Sequence, residues 1–459
     1  MKHVRQVALE ICLILAGVIA STLAFVAPSF AQWNGFAQGP QHAAESPVSA
    51  QTLSRVIWST PVDLNPQLVG GQHGIHYGSP LVTSANTVIV PVKTTATGGF
   101  RVDARRGNDG TLIWTLPTDY VLPPSFNLVP AFGPVLSSGD RLYFPGVGGT
   151  VYVRDNPDAV CSGPRCQRQL AFFGMKNYRN RPQAYNASVM INTPLSADSA
   201  GNILFGFIVI ANPSPPLRDA HHKVLSSGIA RIDARGKAIW TPVTTASADQ
   251  TMITVVLNCA PAFSPDLKTV YVAVSDGGAG YLLALNSRTL APIARVRLKD
   301  PKSGNDSTLS FDSSASPTVG PDGDVYFGVL ENPCCIENHD RGWLLHFDSR
   351  LTTSKIPGAF GWDSTASIVP SSDDPVLQRL VELPDNEQVQ QLRERRRRRD
   401  EQAGGARSEC QRNRSDYRRH RDERSENRSG RNAGSRPARR QGVVHQLGRG
   451  RSRHRLGPG

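Results

Sequence analysis

The chain has 459 residues, 39% of them hydrophobic and 7% aromatic, with a formal net charge of +13. The charge is not evenly spread: residues 373–459 hold 23 Arg, no Lys and 13 acidic residues, which is +10 and leaves +3 for residues 1–372. This excludes a chain that is basic throughout, and no Gly-x-Ser-x-Gly, His-Glu-x-x-His or phosphate-loop motif marks a catalytic class.

Residues 1–31 read as a secretory signal peptide. Lys2, His3 and Arg5 precede an apolar run, Ile11 to Val26, and Ser29-Phe30-Ala31 supplies the small residues of a cleavage site. The reading implies export to a bacterial periplasm or beyond, with no membrane span after cleavage. Residues 32–53 are polar and Pro/Gly-containing, and read as a flexible leader. Ser54 to Leu64, with Trp58, reads as a lone strand of the kind that completes a last sheet. Gly70 to Ser79 is a Gly-rich loop carrying His73 and His76, a candidate metal pair with no third ligand nearby in sequence; solvated loop histidines are the plainer reading.

From Pro80 a phrase repeats. A Pro opens a short apolar strand at Pro80, Pro134, Pro194, Pro261 and Pro317, at spacings of 54, 60, 67 and 56 residues. Second strands follow at Thr87–Val92, Arg141–Gly146, Asn202–Phe207, Thr269–Val274 and Asp324–Val329. Third strands start at Gly99, Gly149, Gly228, Gly280 and Gly342, and fourth strands are clearest at Thr111–Leu116 and Lys237–Val243. β-Branched and aromatic residues fill the runs, while Gly, Asp and Asn fill the gaps. Asp-rich turns such as Asp198–Asn202 and Pro321–Asp324 fall where a hairpin needs its turn, so they read as turn chemistry and not as calcium loops. Four-stranded units repeated at this period predict an all-β chain, a β-propeller over 54–372 with five complete blades in an incomplete ring. A sixth unit opens on schedule, Phe311–Ser316 recurring as Trp362–Ser367.

Two insertions interrupt the pattern, Cys161–Tyr185 and Ile210–Val224, and are a candidate recognition face for an unknown protein or small-molecule ligand. Cys161 and Cys166 in an exported chain suggest a local disulfide. Cys334 and Cys335 are adjacent; they read as a vicinal bridge, or as one thiol paired to Cys259 beside one left free.

The repeat, best seen in Gly228–Trp240 and Gly99–Trp114, resembles that of pyrroloquinoline-quinone (PQQ)-type propellers over residues 56 to 363. The resemblance implies the propeller fold; many such propellers carry no cofactor. Quinoprotein alcohol dehydrogenases have a vicinal Cys-Cys ring beside their quinone, followed closely by Asn and Arg-Gly as Asn338 and Arg341-Gly342 follow here. By that resemblance Cys334 and Cys335 become candidate cofactor-binding residues for PQQ with calcium. The pair stands late in this chain and early in that family, and no matching calcium ligands or catalytic Asp are seen. Three functions therefore stand side by side: an exported binding or scaffold propeller with no catalytic set, a PQQ-dependent dehydrogenase-like enzyme, and nucleic-acid or anionic-surface binding through the tail.

The Arg-rich segment 373–459 has no apolar face and reads as disordered or partly helical. Arg without Lys is also what a GC-rich gene yields out of frame. A one-base shift allows the codons from Pro375 to spell a strand, SYLIMSKY, and then LAVLDPNAT. The latter matches the third strands Leu282–Thr289 and Leu344–Leu351. On this reading the chain leaves its frame early in the sixth blade, and nucleic acid is not a partner. Sequencing the gene across codons 368–380 is expected to show one base gained or lost; an unbroken frame would make the Arg-rich segment a genuine domain.

Overall fold

The computed structural model describes residues 32–46, 54–65, 78–95, 99–121, 132–161, 166–211, 213–309, 315–334, 338–362 and 364–369, with a few isolated positions between them. Residues 1–31, the expected signal peptide, and the Arg-rich residues 373–459 lie outside the described residues. Among those described, no helix is long and apolar enough to cross a membrane.

Besides a two-stranded hairpin, Leu68–Val69 with Gln72–His73, five antiparallel sheets follow one another along the described chain. Blade 1 is Leu81–Val82, Thr87–Lys93, Phe100–Arg106 and Leu112–Pro117. Blade 2 is Val135–Leu136, Leu142–Pro145, Thr150–Arg154 and Gln167–Ala171. In blade 3 the innermost strand is split into Val189–Ile191 and Ser196–Ala197, both paired with Ile203–Val209; Gly228–Ile232 and Ala238–Pro242 complete it. Blade 4 repeats the split, with Thr254–Val255 and Ala262–Phe263 on Thr269–Ser275, then Gly280–Asn286 and Pro292–Arg297. Blade 5 is Thr318–Val319, Val325–Val329 and Trp343–Phe347, its fourth position held by single bridges from Ser354 to Phe347 and Gly358 to Leu344.

The turn residues act as the sequence suggests. Asp198 Oδ1 accepts from the backbone N–H groups of Ala200 and Asn202, and Asp233 Oδ1 from those of Arg235 and Lys237. Asp322 Oδ1 accepts from Asp324 N. These carboxylates close their own hairpins.

Each sheet is apolar on both faces, so it must be covered twice. One cluster joins blades 1 and 2 through Phe100, Val102, Phe132 and Phe144. Others join blades 2 and 3 (Val151, Phe172, Phe205), 3 and 4 (Leu204, Ile229, Val272) and 4 and 5 (Tyr271, Leu282, Phe327). Burying each such side chain contributes roughly 1.5–3 kcal/mol. Hydrogen bonds near the axis run from blade to blade: Leu195 N to Gly133 O, Asn258 N to Asn192 O, Ala260 N to Ser316 Oγ, and Ser316 N to Thr365 Oγ1. Consecutive sheets packed face to face about one axis make a β-propeller. Residues 364–369 lie beside the innermost strand of blade 5, where Thr365 Oγ1 accepts from Ser316 N and Ala366 O from Thr318 Oγ1.

Part of the expected leader is held by hydrogen bonds to the blades. Residues 33–43 form a strap along the axial edges of the innermost strands. Trp33 O accepts from Val82 N (blade 1), Asn34 O from Leu136 N (blade 2), Pro40 O from Phe263 N (blade 4), Gln41 O from Val319 N (blade 5) and Ala43 O from Ile368 N. The physical reason is satisfaction of edge backbone groups that have no other partner. The segment read as a lone strand, 54–64, also belongs to blade 1. Trp58 Nε1 donates to Gly107 O, Asp63 bridges Lys93 in parallel, and the Lys93 ammonium meets Asp63 at 3.0 Å.

His42 anchors the strap. It is 1% exposed, its Nδ1 donates to Pro317 O at 2.9 Å, and its ring meets Phe36 edge-on. Burial lowers its pKa to about 4, against a smaller upward effect of the Pro317 bond. The unfolded chain, with an ordinary His, takes up the proton between about pH 6.5 and 4 while the folded chain does not. This contribution is therefore complete above pH 6.5 and is lost as pH falls toward 4, by about 3 kcal/mol. Urea unfolding at pH 7, 5.5 and 4 is expected to show this slope, and His42→Asn, which keeps an N–H donor, to flatten it.

Candidate functional site

The two insertions meet. After Gln167–Ala171 the chain enters two short helices, Met175–Asn180 and Pro182–Ser188, broken at Arg181, with Pro182 pre-set for the first turn of the second. Phe172, Phe173, Tyr178 and Tyr185 bury their rings together, Phe173 stacked on Tyr185 at 4.2 Å. This aromatic group seats the helices on blades 2 and 3. The second insertion lies against them: Tyr185 Oη donates to Arg218 O at 2.7 Å, Asn177 Nδ2 to the same oxygen at 3.0 Å, and Arg181 Nη1 to Pro215 O at 2.8 Å. Leu217 and Leu225 close the contact from below.

Asp219 organises the turn of the second insertion. Its Oδ1 accepts from His221 N and Lys223 N, both at 2.9 Å, and its Oδ2 accepts from Trp240 Nε1 at 2.8 Å. The Lys223 ammonium sits 3.9 Å from the Trp240 ring centroid. Burial lowers the Lys223 pKa, with Asp219 opposing it. Asp219 is the only acid in residues 172–188 and 210–226, and it is buried. Lys176, Arg179, Arg218, His221 and His222 are exposed. The joined insertions thus present cationic groups with no exposed carboxylate to neutralise them. The run of aromatic residues at 172, 173, 178 and 185 was the available sequence signal for a packed insertion; nothing in the spacing shows that it meets 210–226.

Cys161 and Cys166 form a disulfide at the start of the first insertion, with Cα atoms 5.7 Å apart. His73 contributes its backbone to a two-residue hairpin with Leu68, and His76 lies outside the described residues. Cys334 is exposed, its Sγ 3.2 Å from Asp340 Oδ1; Cys335 lies outside the described residues. Cys259 is a buried free thiol in blade 4, not one half of a disulfide, and burial pushes its pKa up to about 12.

A quinone with calcium needs carboxylates that converge on a metal and cations free to meet the cofactor's acidic groups. Around Cys334 several described side chains bond to one another, while the buried Glu331 Oε2 has no hydrogen-bond partner among the described residues. Arg341 donates to Asn338 O and Oδ1, Asn338 Nδ2 to Gly342 O, and Glu331 Oε1 accepts from Asp340 N. Among the described residues no three His, Cys, Asp or Glu side chains gather as a metal site. Residues 335–337 lie outside the described residues, so the cofactor reading of Cys334 and Cys335 stays what the resemblance implies, and no chemistry is derived through that group.

No protein-family model matches the chain, and no curated protein matches it. Solved structures similar to it include the quinohemoprotein alcohol dehydrogenase ADHIIG from Pseudomonas putida HK5, at 13% identity and TM-score 0.43, with 72% of this chain and 48% of that one covered. A europium-containing methanol dehydrogenase is similar at 12% identity and TM-score 0.42, over 74% and 62%. BamB from Moraxella catarrhalis is similar at 13% identity and TM-score 0.33, over 62% of each chain. The chain spans about half the length of the alcohol dehydrogenase, and the likenesses are of fold alone.

Asp219→Ala removes the acceptor for two turn amides and the Trp240 N–H. Limited trypsin digestion is expected to cut after Arg218 and Lys223 several-fold faster than in the parent chain, with a stability loss of about 1–3 kcal/mol; unchanged cleavage would show that the turn holds without the carboxylate.

Proposed function

We propose that this protein is an exported, non-catalytic propeller that binds an acidic partner surface through the joined insertions of blades 2 and 3. The observation that carries the reading is the exposed cationic group Lys176, Arg179 and Arg218, held on a packed base and free of exposed acid. A rigid platform loses little conformational entropy on binding, and a one-sign surface steers an oppositely charged partner. The basic apolar leader 1–31 supports export. The Arg-rich segment 373–459 is read as out-of-frame translation and has no part in this function.

Fluorescence anisotropy with a labelled oligoglutamate peptide tests the reading on the full chain. Binding is expected at low salt and to weaken as ionic strength rises through about 0.15 M. The double substitution Arg179→Glu, Arg218→Glu is expected to weaken it at least tenfold, and replacing Arg395–Arg399 by Gln to leave most of it. If the tail substitutions abolish binding and the insertion substitutions do not, the proposal is wrong.

A further inference from the structure

The strap follows a rule with one exception. By sheet register, Val82, Leu136, Phe263 and Val319 hold the same place in their blades, pairing with Val88, Leu142, Val270 and Val325. In each, the backbone N–H points away from its own sheet and donates to a strap carbonyl. The equivalent residue of blade 3 is Ala197, paired with Ile203. Among the described residues, the strap makes no backbone hydrogen bond to Ala197. Instead the strap turns away there, Gly35 and Gln38 bonding to each other through their backbones.

The departure leaves a cavity of about 250 Å³ between the strap and blades 2, 3 and 4, and Ala197 lines it. Phe36, Pro40, Leu195 and Leu267 give it apolar walls. The nearest carboxylate, Asp198, is occupied by Ala200 N, Asn202 N and Asn202 Nδ2. Gly39 also lines the cavity, and a Cβ built on it would meet nothing within 4 Å.

We propose that this cavity is a binding site for a neutral, carbonyl-bearing small molecule of amide or short-peptide type, whose oxygen accepts the Ala197 N–H. Four equivalent N–H groups already take an amide carbonyl, so the fifth is presented in a geometry that selects the same acceptor. Asp198 beside it disfavours a carboxylate, and the apolar walls favour a small aliphatic group next to the amide. The site is independent of the insertion face.

N-Acetyl-leucinamide is the probe. Titrated into the full chain, it is expected to slow hydrogen exchange of the Ala197 amide at least about tenfold at saturation, with the Val82 and Val319 amides unchanged. Gly39→Leu places a side chain in the open space and is expected to abolish this protection without lowering Tm, because Gly39 does not need a left-handed backbone. Unaltered exchange at Ala197, or protection that survives Gly39→Leu in a folded variant, overturns the proposal.

Discussion

Where the innermost strands of a propeller meet at the axis, each has one edge paired within its blade and the other facing a narrow space that no sheet fills. Backbone N–H groups on that inner edge need acceptors, because an unsatisfied buried donor costs about as much as a lost hydrogen bond. In this protein the strap of residues 33–43 supplies them, one carbonyl per blade at blades 1, 2, 4 and 5. The same element carries His42, whose neutral ring ties the strap to Pro317. Packing between the blades and hydrogen bonding along the axis are thus two separate systems, joined through one short stretch of chain.

The split innermost strands of blades 3 and 4 follow from the same constraint. A continuous strand would place all of its N–H groups in one line. The break at 192–195 turns Asn192 O toward Asn258 N, and the break at 256–261 turns Ala260 N toward Ser316 Oγ. Each break converts an intrablade bond into a link with the next blade. The breaks also allow very close packing: a Cβ on Gly206 would meet Val255 and Thr193 at 2.7 Å.

Charge is handled differently on the turns and on the insertions. Most turn aspartates are spent on backbone amides of their own hairpins, so their number says nothing about cation binding. In the insertions of blades 2 and 3, the single aspartate is turned inward to Trp240 and the turn amides while the cations remain outside. Burying one carboxylate among N–H donors is what leaves the surface cationic.

The strands, the hairpin turns and the blade count of the described region were legible in the sequence, because they depend on local chemistry: short apolar runs rich in β-branched and aromatic residues, and Gly or Asp at the turns. The strap was not. Residues 33–43 carry no strand periodicity, and their order comes from carbonyls that meet N–H groups 49 to 325 residues away. The meeting of the two insertions was hidden likewise, since Tyr185 and Asn177 bond to the backbone of Arg218, whose side-chain identity does not encode the contact. The rung at Ala197, to which no described residue of the strap bonds, was the least legible of all: blade 3 has one extra residue between Pro194 and its innermost pair, and only the sheet register reveals which N–H it leaves facing the cavity. Side-chain patterns specify which strands form; backbone groups, identical at every residue, decide what those strands share at the axis, and only the tertiary structure brings them together.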